Sequence, residues 1–175
     1  LEVIGCLETL CAAVLLKVRG IFGLQLAASS TAAMTNVIAG DPYLSIALPG
    51  RMYAPIFRGE GYSTLNLSRS LEEGGTLISP LIPWNAGGAV VISSLGLVVG
   101  DGSWESLLYI PLAFACWLSP LLGLLYTLLG RFIVPASDAE RADWVAQDYA
   151  VTSLQQLRDQ AEVGVRSVKV AQPEV

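Results

Sequence analysis

Histidine is missing from this 175-residue sequence. A histidine base, a histidine-containing triad and a histidine metal ligand are therefore excluded within these residues. Cysteine is sparse and poorly spaced for chemistry. Cys6 and Cys11 are five apart, and Cys116 sits inside an apolar stretch. That is neither a zinc spacing nor a disulfide framework, and buried, inert thiols are expected. Charge is scarce as well. Asp, Glu, Lys and Arg make up 14% of the chain, against roughly 25% in ordinary globular proteins. No basic stripe is present, so nucleic acid is not expected as a partner. No nucleophile–base pair or metal cluster is visible, and the chain does not read as an enzyme.

The charges that remain are segregated. None lies in the 21 residues between Arg19 and Asp41, in the 27 residues 74–100, or in the 25 residues 106–130. A helix needs about 20 mostly apolar residues to cross a bilayer core. Hydrophobic residues amount to 53%. The expected class is an all-α integral membrane protein. The net charge of −5 says little about partners, because seven of the fifteen acids follow Pro135 against four bases. Opening on Leu1-Glu2-Val3, the chain reads as a piece of a longer polytopic protein.

Three regions are expected. Residues 1–19 form an interfacial amphipathic helix, with Leu7, Leu10, Val14 and Val18 at helical spacing and Lys17 and Arg19 beside headgroups. Residues 20–134 form the transmembrane region. Residues 135–175 form a soluble or surface tail, its helix opened by Ser137-Asp138-Ala139-Glu140 as a capping box and running to about Glu162.

Within the middle region, helix 21–39 carries Gln25, Ser29 and Asn36 on one face, next to small alanines that permit close packing. Gly40-Asp41-Pro42 breaks the chain: a left-handed stop, an N-cap and a first-turn proline in succession. A short helix, 42–57, follows. Residues 58–73 are expected as a loop and a short surface helix stopped at Gly74-Gly75. Pro80 and Pro83 forbid a regular helix through Thr76–Asn85. Apolar helices over about 86–99 and 104–130 complete the region, the last capped by Ser103 and bent at Pro111 and Pro120.

Two interruptions inside hydrophobic sequence point to a transporter site, because broken helices leave carbonyls free to replace water around a cation. Asp41 is the carboxylate flanked by apolar sequence on both sides. It is expected to accept a proton or a sodium ion in competition, and Asp41→Asn to abolish transport. Asn36, Thr76, Ser79 and Asn85 offer hard oxygen ligands, so Asp41, Thr76, Ser79 and Asn85 are the candidate sodium ligands. Each also has a capping or turn role open to it. Arg51, Arg69 and Glu72 read as structural ion pairs, interfacial anchors or substrate anchors.

Two long motifs carry a family likeness. Asn36-Val37-Ile38-Ala39-Gly40-Asp41-Pro42-Tyr43-Leu44-Ser45-Ile46-Ala47-Leu48-Pro49-Gly50-Arg51-Met52 resembles the C-terminal half of the NhaC-type sodium/proton antiporters. So do Asn66-Leu67-Ser68-Arg69 leading into Leu71-Glu72, then Gly75-Thr76, then Ser79-Pro80-Leu81-Ile82-Pro83-Trp84-Asn85. The likeness covers about residues 5–130. It departs from the family pattern at Pro42, where Gln is usual, and at Ala86-Gly87, where Thr-Cys is usual. The resemblance implies an ion-transporter-type bundle with interrupted helices, half of an inverted-repeat architecture. It implies exchange of sodium for protons across a bacterial cytoplasmic membrane by a multi-pass protein. Sodium ion and proton are then the transported species, with no cofactor. The implied partners are the lipid bilayer, the N-terminal half of the same transporter and a candidate second copy. Some relatives exchange organic acids such as malate and lactate, for which Arg51 or Arg69 would be the anchor. A non-transporting membrane fragment or subunit is the third reading.

Overall fold

The computed structural model describes Val18, residues 20–97 and residues 107–157. The expected interfacial helix, the Ser103 cap and the end of the tail fall outside these residues. The described chain is helical, with one isolated antiparallel bridge between Tyr62 and Pro135.

Helix α1 spans Gly20–Ala39 and α2 spans Pro42–Gly59. They form an antiparallel hairpin around the Gly40-Asp41-Pro42 break. Gly40 takes the left-handed conformation (φ +65°), and its N–H closes α1 onto the Asn36 carbonyl at 3.0 Å. A side chain there would carry the usual left-handed strain. Asp41 caps α2, and Pro42 follows in the first turn, where no donor is required. Leu24, Ala27, Ala28 and Ala32 of α1 pack on Tyr53, Ile56 and Phe57 of α2. The alanines bring the two backbones close.

Helix α3 spans Thr64–Leu71. It is not the surface helix expected: Asn66, Leu67, Ser70 and Leu71 are buried against α1 and α2. Gly74-Gly75 does not stop it either. The helix widens into a single π turn, Glu72–Thr76. The glycines make this possible, because a Cβ on Gly74 would sit 2.2 Å from the Ser29 carbonyl oxygen of α1. The prolines break the chain as expected. A short 3₁₀ turn, Ser79–Leu81, leads to an extended Ile82, and α4 (Ala86–Ser94) starts afresh under an Asn85 cap. Helix α4 ends earlier than the expected residue 99, because Gly96 takes a left-handed stop (φ +65°).

The last apolar segment is also divided. Helix α5 (Tyr109–Leu112) and α6 (Phe114–Leu128) meet at Ala113, whose ψ of 58° is not helical. The interruption follows Pro111, while Pro120 is held inside α6. Helix α7 (Asp138–Ala146) is far shorter than the expected run to Glu162. Asp148 turns left-handed (φ 51°), and the segment after it folds back onto the end of α2 and the α2–α3 connection. There Thr152 N–H donates to the Pro55 carbonyl at 2.9 Å. Leu154 N–H donates to Glu60 Oε1 at 2.9 Å. The Arg58 guanidinium lies 4.4 Å from the Tyr149 ring centre.

Polarity is distributed inside out. Gln25, Thr35, Asn36, Ser45, Asn66, Ser70, Glu73, Ser79, Asn85 and Thr127 are buried, while Met34, Ile38, Val90, Leu112, Phe114, Leu121 and Leu128 are exposed. Exposed apolar surface on that scale marks contact with something apolar. By length and composition, α1 is long and apolar enough to cross a bilayer, and α3 with its continuation plus α4 passes the same test as a pair bent by 45°.

Candidate ion-binding site

The two breaks meet. Asn36 ends α1, Asn85 begins α4, and both side chains are fully buried. The Asn85 amide N–H₂ donates to the Asn36 side-chain oxygen and, at 3.1 Å, to the Asn36 carbonyl. The Asn36 amide N–H₂ donates to the Gly75 carbonyl in the π turn. The Ser79 hydroxyl donates to Asn85 Oδ1, which also accepts the Gly87 N–H at 2.9 Å as the cap of α4. The backbones are joined too, by Ala86 N–H donating to the Gly40 carbonyl at 3.1 Å. One amide–hydroxyl knot thus ties the end of α1, the π turn and the start of α4.

Physical chemistry explains the residue types. A broken helix leaves N–H and C=O groups without partners, and burial makes each expensive. An asparagine carries both an acceptor and donors on a short stem, so it can serve a cap and a carbonyl at once. Gly87 is required by this geometry: a Cβ there would stand 2.2 Å from the Ser79 hydroxyl. The bare glycine therefore makes room for the Ser79–Asn85 bond.

Asn85 Oδ1 has both acceptor directions engaged. Asn36 Oδ1, the Gly75 carbonyl and Ser79 Oγ each keep capacity to accept more, as sp² and hydroxyl oxygens offer two lone pairs. Ser45 Oγ lies against the same glycine, 2.9 Å from where a Gly75 Cβ would be. Thr35, next to Asn36 and 3% exposed, has a buried hydroxyl without a hydrogen-bond partner. These are neutral, hard oxygens of the kind that hold small cations.

Asn36, Ser79 and Asn85 are therefore brought together. Asp41 and Thr76 are not inside the knot. Asp41 is exposed, and its Oδ1 accepts the Tyr43 N–H at 2.7 Å. Thr76 is exposed at the end of the π turn. Arg51 and Glu72 are exposed. Arg69 pairs with Glu73, not Glu72, at 3.8 Å, and donates to the Phe132 carbonyl at 3.3 Å.

A second polar layer lies between α1, α3 and α6. Thr127 donates to Gln25 Oε1. Ser29 donates to the Ser70 carbonyl at 3.0 Å, and Asn66 exchanges hydrogen bonds with Val134. Glu73, 8% exposed, belongs to this layer. Its carboxylate presses on α6 where Gly123 has no side chain, since a Cβ there would be 2.1 Å from Oε1. Reading the sequence by its charge-free gaps passes over Glu73, which stands just before one. The available signal is helical spacing: Asn66, Ser70 and Glu73 share one buried face along α3 and the π turn that continues it.

A family model described as the Na+/H+ antiporter family matches residues 1–131. The chain is 38% identical over 127 residues to the Na(+)/H(+) antiporter NhaC of Alkalihalophilus pseudofirmus, covering 73% of this chain and 26% of that protein. It is 36% identical over 125 residues to NhaC of Bacillus subtilis, covering 71% and 26% respectively. It is 34% identical over 122 residues to the arginine/ornithine antiporter ArcD of Halobacterium salinarum, covering 70% and 24%. The chain thus spans about a quarter of the length of these relatives. No solved structure matches it. With its two broken helices knotted through Asn36 and Asn85, and three quarters of its length matched by the family pattern, this chain belongs to the Na+/H+ antiporter family.

Proposed function

We propose that the chain is part of the C-terminal half of a secondary active transporter that exchanges sodium for protons across the cytoplasmic membrane. Residues 20–134 lie in the bilayer, residues 1–19 at its surface, and residues 135–175 outside it. The other half of an inverted repeat, the N-terminal part of the same transporter, completes the path, and a second copy is a further partner. The end carrying Arg58, Arg69, Arg131 and the folded-back tail faces the cytoplasm, in line with the excess of basic residues on that side.

The observation that carries this reading is the meeting of Asn36 and Asn85, both fully buried, across two helix breaks. Empty, the knot is closed by its own hydrogen bonds. A sodium ion takes the free lone pairs of Asn36 Oδ1, the Gly75 carbonyl and Ser79 Oγ, with Ser45 Oγ beside Gly75, and the amide N–H₂ groups swing away. Asp41, exposed at the break, supplies negative charge where the cation approaches, and Thr76 marks the other rim. An organic anion finds no free cation in this knot: Arg51 is exposed, and Arg69 is turned to Glu73 and Phe132.

The test is sodium-dependent proton flux in vesicles holding the complete transporter, with lithium, malate and arginine/ornithine gradients as comparisons. Asn36→Ala and Asn85→Ala each raise the half-saturating sodium concentration strongly while Trp84→Phe, at the exposed edge, leaves it unchanged. Unaltered sodium dependence in both asparagine variants would exclude the knot as the site. Acceleration by malate without any response to a pH gradient would replace the antiporter reading with the organic-acid one.

A further inference from the structure

Ser79 reaches the knot from a turn with little backbone support of its own. Leu81 N–H donates to the Ile78 carbonyl at 2.9 Å, and Ile82 N–H to the Ser79 carbonyl at 3.2 Å. The series stops there. Ile82 is extended (φ −103°, ψ 106°). Pro83, next in the i to i+3 pattern, has no N–H to give to the Pro80 carbonyl. That carbonyl follows Ser79 directly, and a carbonyl left unpaired away from water is costly.

The donor comes from another element. The Tyr109 hydroxyl donates to the Pro80 carbonyl at 3.0 Å. Tyr109 is 9% exposed and opens the four-residue helix α5, which the non-helical Ala113 separates from α6. Pro111 and Leu112 of the same piece are exposed. A buried tyrosine needs a partner for its hydroxyl, and here that partner is the turn. On the α4 side the turn has no room to move. A Cβ on Gly88 would stand 2.0 Å from the Ile82 carbonyl oxygen, and one on Gly87 2.2 Å from Ser79 Oγ. Ser79 in turn donates to Asn85, and Asn85 to Asn36. From the phenol to the knot the path is Pro80, then Ser79.

We propose that Tyr109 is a positioning residue of the ion site, holding the turn so that Ser79 Oγ and Asn85 Oδ1 keep their places in the knot; the assignment rests on the antiporter reading above. Tyr109 touches no ion and acts through Pro80 and Ser79. Ligands fixed in advance by partners behind them bind a cation more tightly than ligands that must be ordered when it arrives. The break at Ala113 belongs to the same arrangement. It frees α5 from the axis of α6, so Tyr109 meets the turn while Gly123 and Thr127 keep α6 against the polar layer.

The experiment uses the complete transporter and compares the unaltered protein with Tyr109→Phe, Ser79→Ala, the double variant, and Tyr126→Phe as a control on the exposed side of α6. Three quantities are read. Hydrogen exchange without sodium reports the Leu81 and Ile82 N–H groups. The rise of unfolding temperature with sodium in detergent reports binding. Proton flux in vesicles gives half-saturating sodium and maximal rate separately. Tyr109→Phe is expected to speed exchange in the turn and to raise half-saturating sodium about two- to fivefold in both sodium titrations. Maximal flux at saturating sodium should be kept. The double variant should be no worse than Ser79→Ala, because both changes act through one oxygen. Tyr126→Phe should match the unaltered protein. Unchanged half-saturation in Tyr109→Phe overturns the assignment. So does a fall in maximal flux alone, additive loss in the double variant, or loss of cooperative unfolding, each of which marks a scaffold role. Absence of any sodium response in the unaltered protein overturns the antiporter reading and this assignment with it, whereas the preceding outcomes overturn the assignment alone.

Discussion

Gly87→Ala tests the knot at its tightest point. The new Cβ would stand 2.2 Å from Ser79 Oγ and 3.0 Å from Ser79 Cβ. Ordinary contact needs about an ångström more, and a packed interior has no slack to supply it. The Ser79 side chain must swing away, which breaks its bond to Asn85 Oδ1. A typical buried hydrogen bond contributes about 0.5–1.5 kcal/mol net. At 1.4 kcal/mol per factor of ten, the half-saturating sodium concentration should rise roughly two- to twelvefold. The α4 cap survives, since Gly87 N–H still reaches Asn85 Oδ1, so folding should be little affected. Sodium titration of proton flux in vesicles reads the affinity, and thermal unfolding in detergent reads the fold. Ser79→Ala removes the atom that clashes. The double variant Ser79→Ala/Gly87→Ala should therefore be no worse than Ser79→Ala alone, a non-additivity diagnostic of shared partners. Additive losses, or a Gly87→Ala protein with unchanged sodium dependence, would refute the argument.

Other perturbations separate binding from scaffold. Asp41→Asn leaves a side chain that still accepts the Tyr43 N–H, so the fold should hold while half-saturating sodium rises by a factor of about two to five, as for an exposed charge; complete loss of transport would place the acid inside the site after all, and the sodium titration decides. Gly74→Ala forces a Cβ to 2.2 Å from the Ser29 carbonyl, so it should destabilise by about 1–3 kcal/mol or more, visible as a lowered melting temperature in detergent. Glu140→Ala removes the acceptor that Ser63 Oγ, Thr64 N and Thr64 Oγ1 share at 3.1 Å. It should lower stability by about 1–3 kcal/mol and speed proteolysis of the tail, without changing sodium half-saturation.

Much of the bundle is written locally in the sequence. Gly40-Asp41-Pro42 determines its own geometry, since each residue fits a single role in stopping or starting a helix. The same holds for Pro80 and Pro83 followed by Asn85. Spacing alone puts Gln25, Ser29 and Asn36 on one face, and all three are buried. What spacing could not give is which distant segments share a partner. Gly74-Gly75 reads as a stop because glycine favours one, yet contact with the Ser29 carbonyl holds those residues in a π turn. The tail shows the same limit. Glu140 fits a capping box, and Ser137 does cap its N–H at 3.2 Å. The carboxylate leaves for Ser63 and Thr64, seventy-odd residues away. Asp41 and Glu73 exchange expected environments for a related reason. Flanking hydrophobicity measures a residue's neighbours along the chain, whereas burial depends on which helix covers it, and α6 covers Glu73.

In the proposed antiporter, a site built from amides and hydroxyls has a physical rationale for exchange. A site built from carboxylates alone holds a dehydrated cation tightly, and release becomes slow. A site of neutral oxygens binds more weakly, and it can close on itself when empty because asparagine supplies donors as well as acceptors. The hydrogen bonds of the knot give Asn36, Ser79 and Asn85 partners, so their burial is not penalised. Asn85→Asp tests this balance. It keeps the cap on α4 and the acceptor for Ser79, but replaces a donor to Asn36 with a second negative oxygen. Sodium should bind more tightly and turnover should fall. Weaker sodium binding in Asn85→Asp, with the fold intact, would mean that the amide donors and not the oxygens make the site.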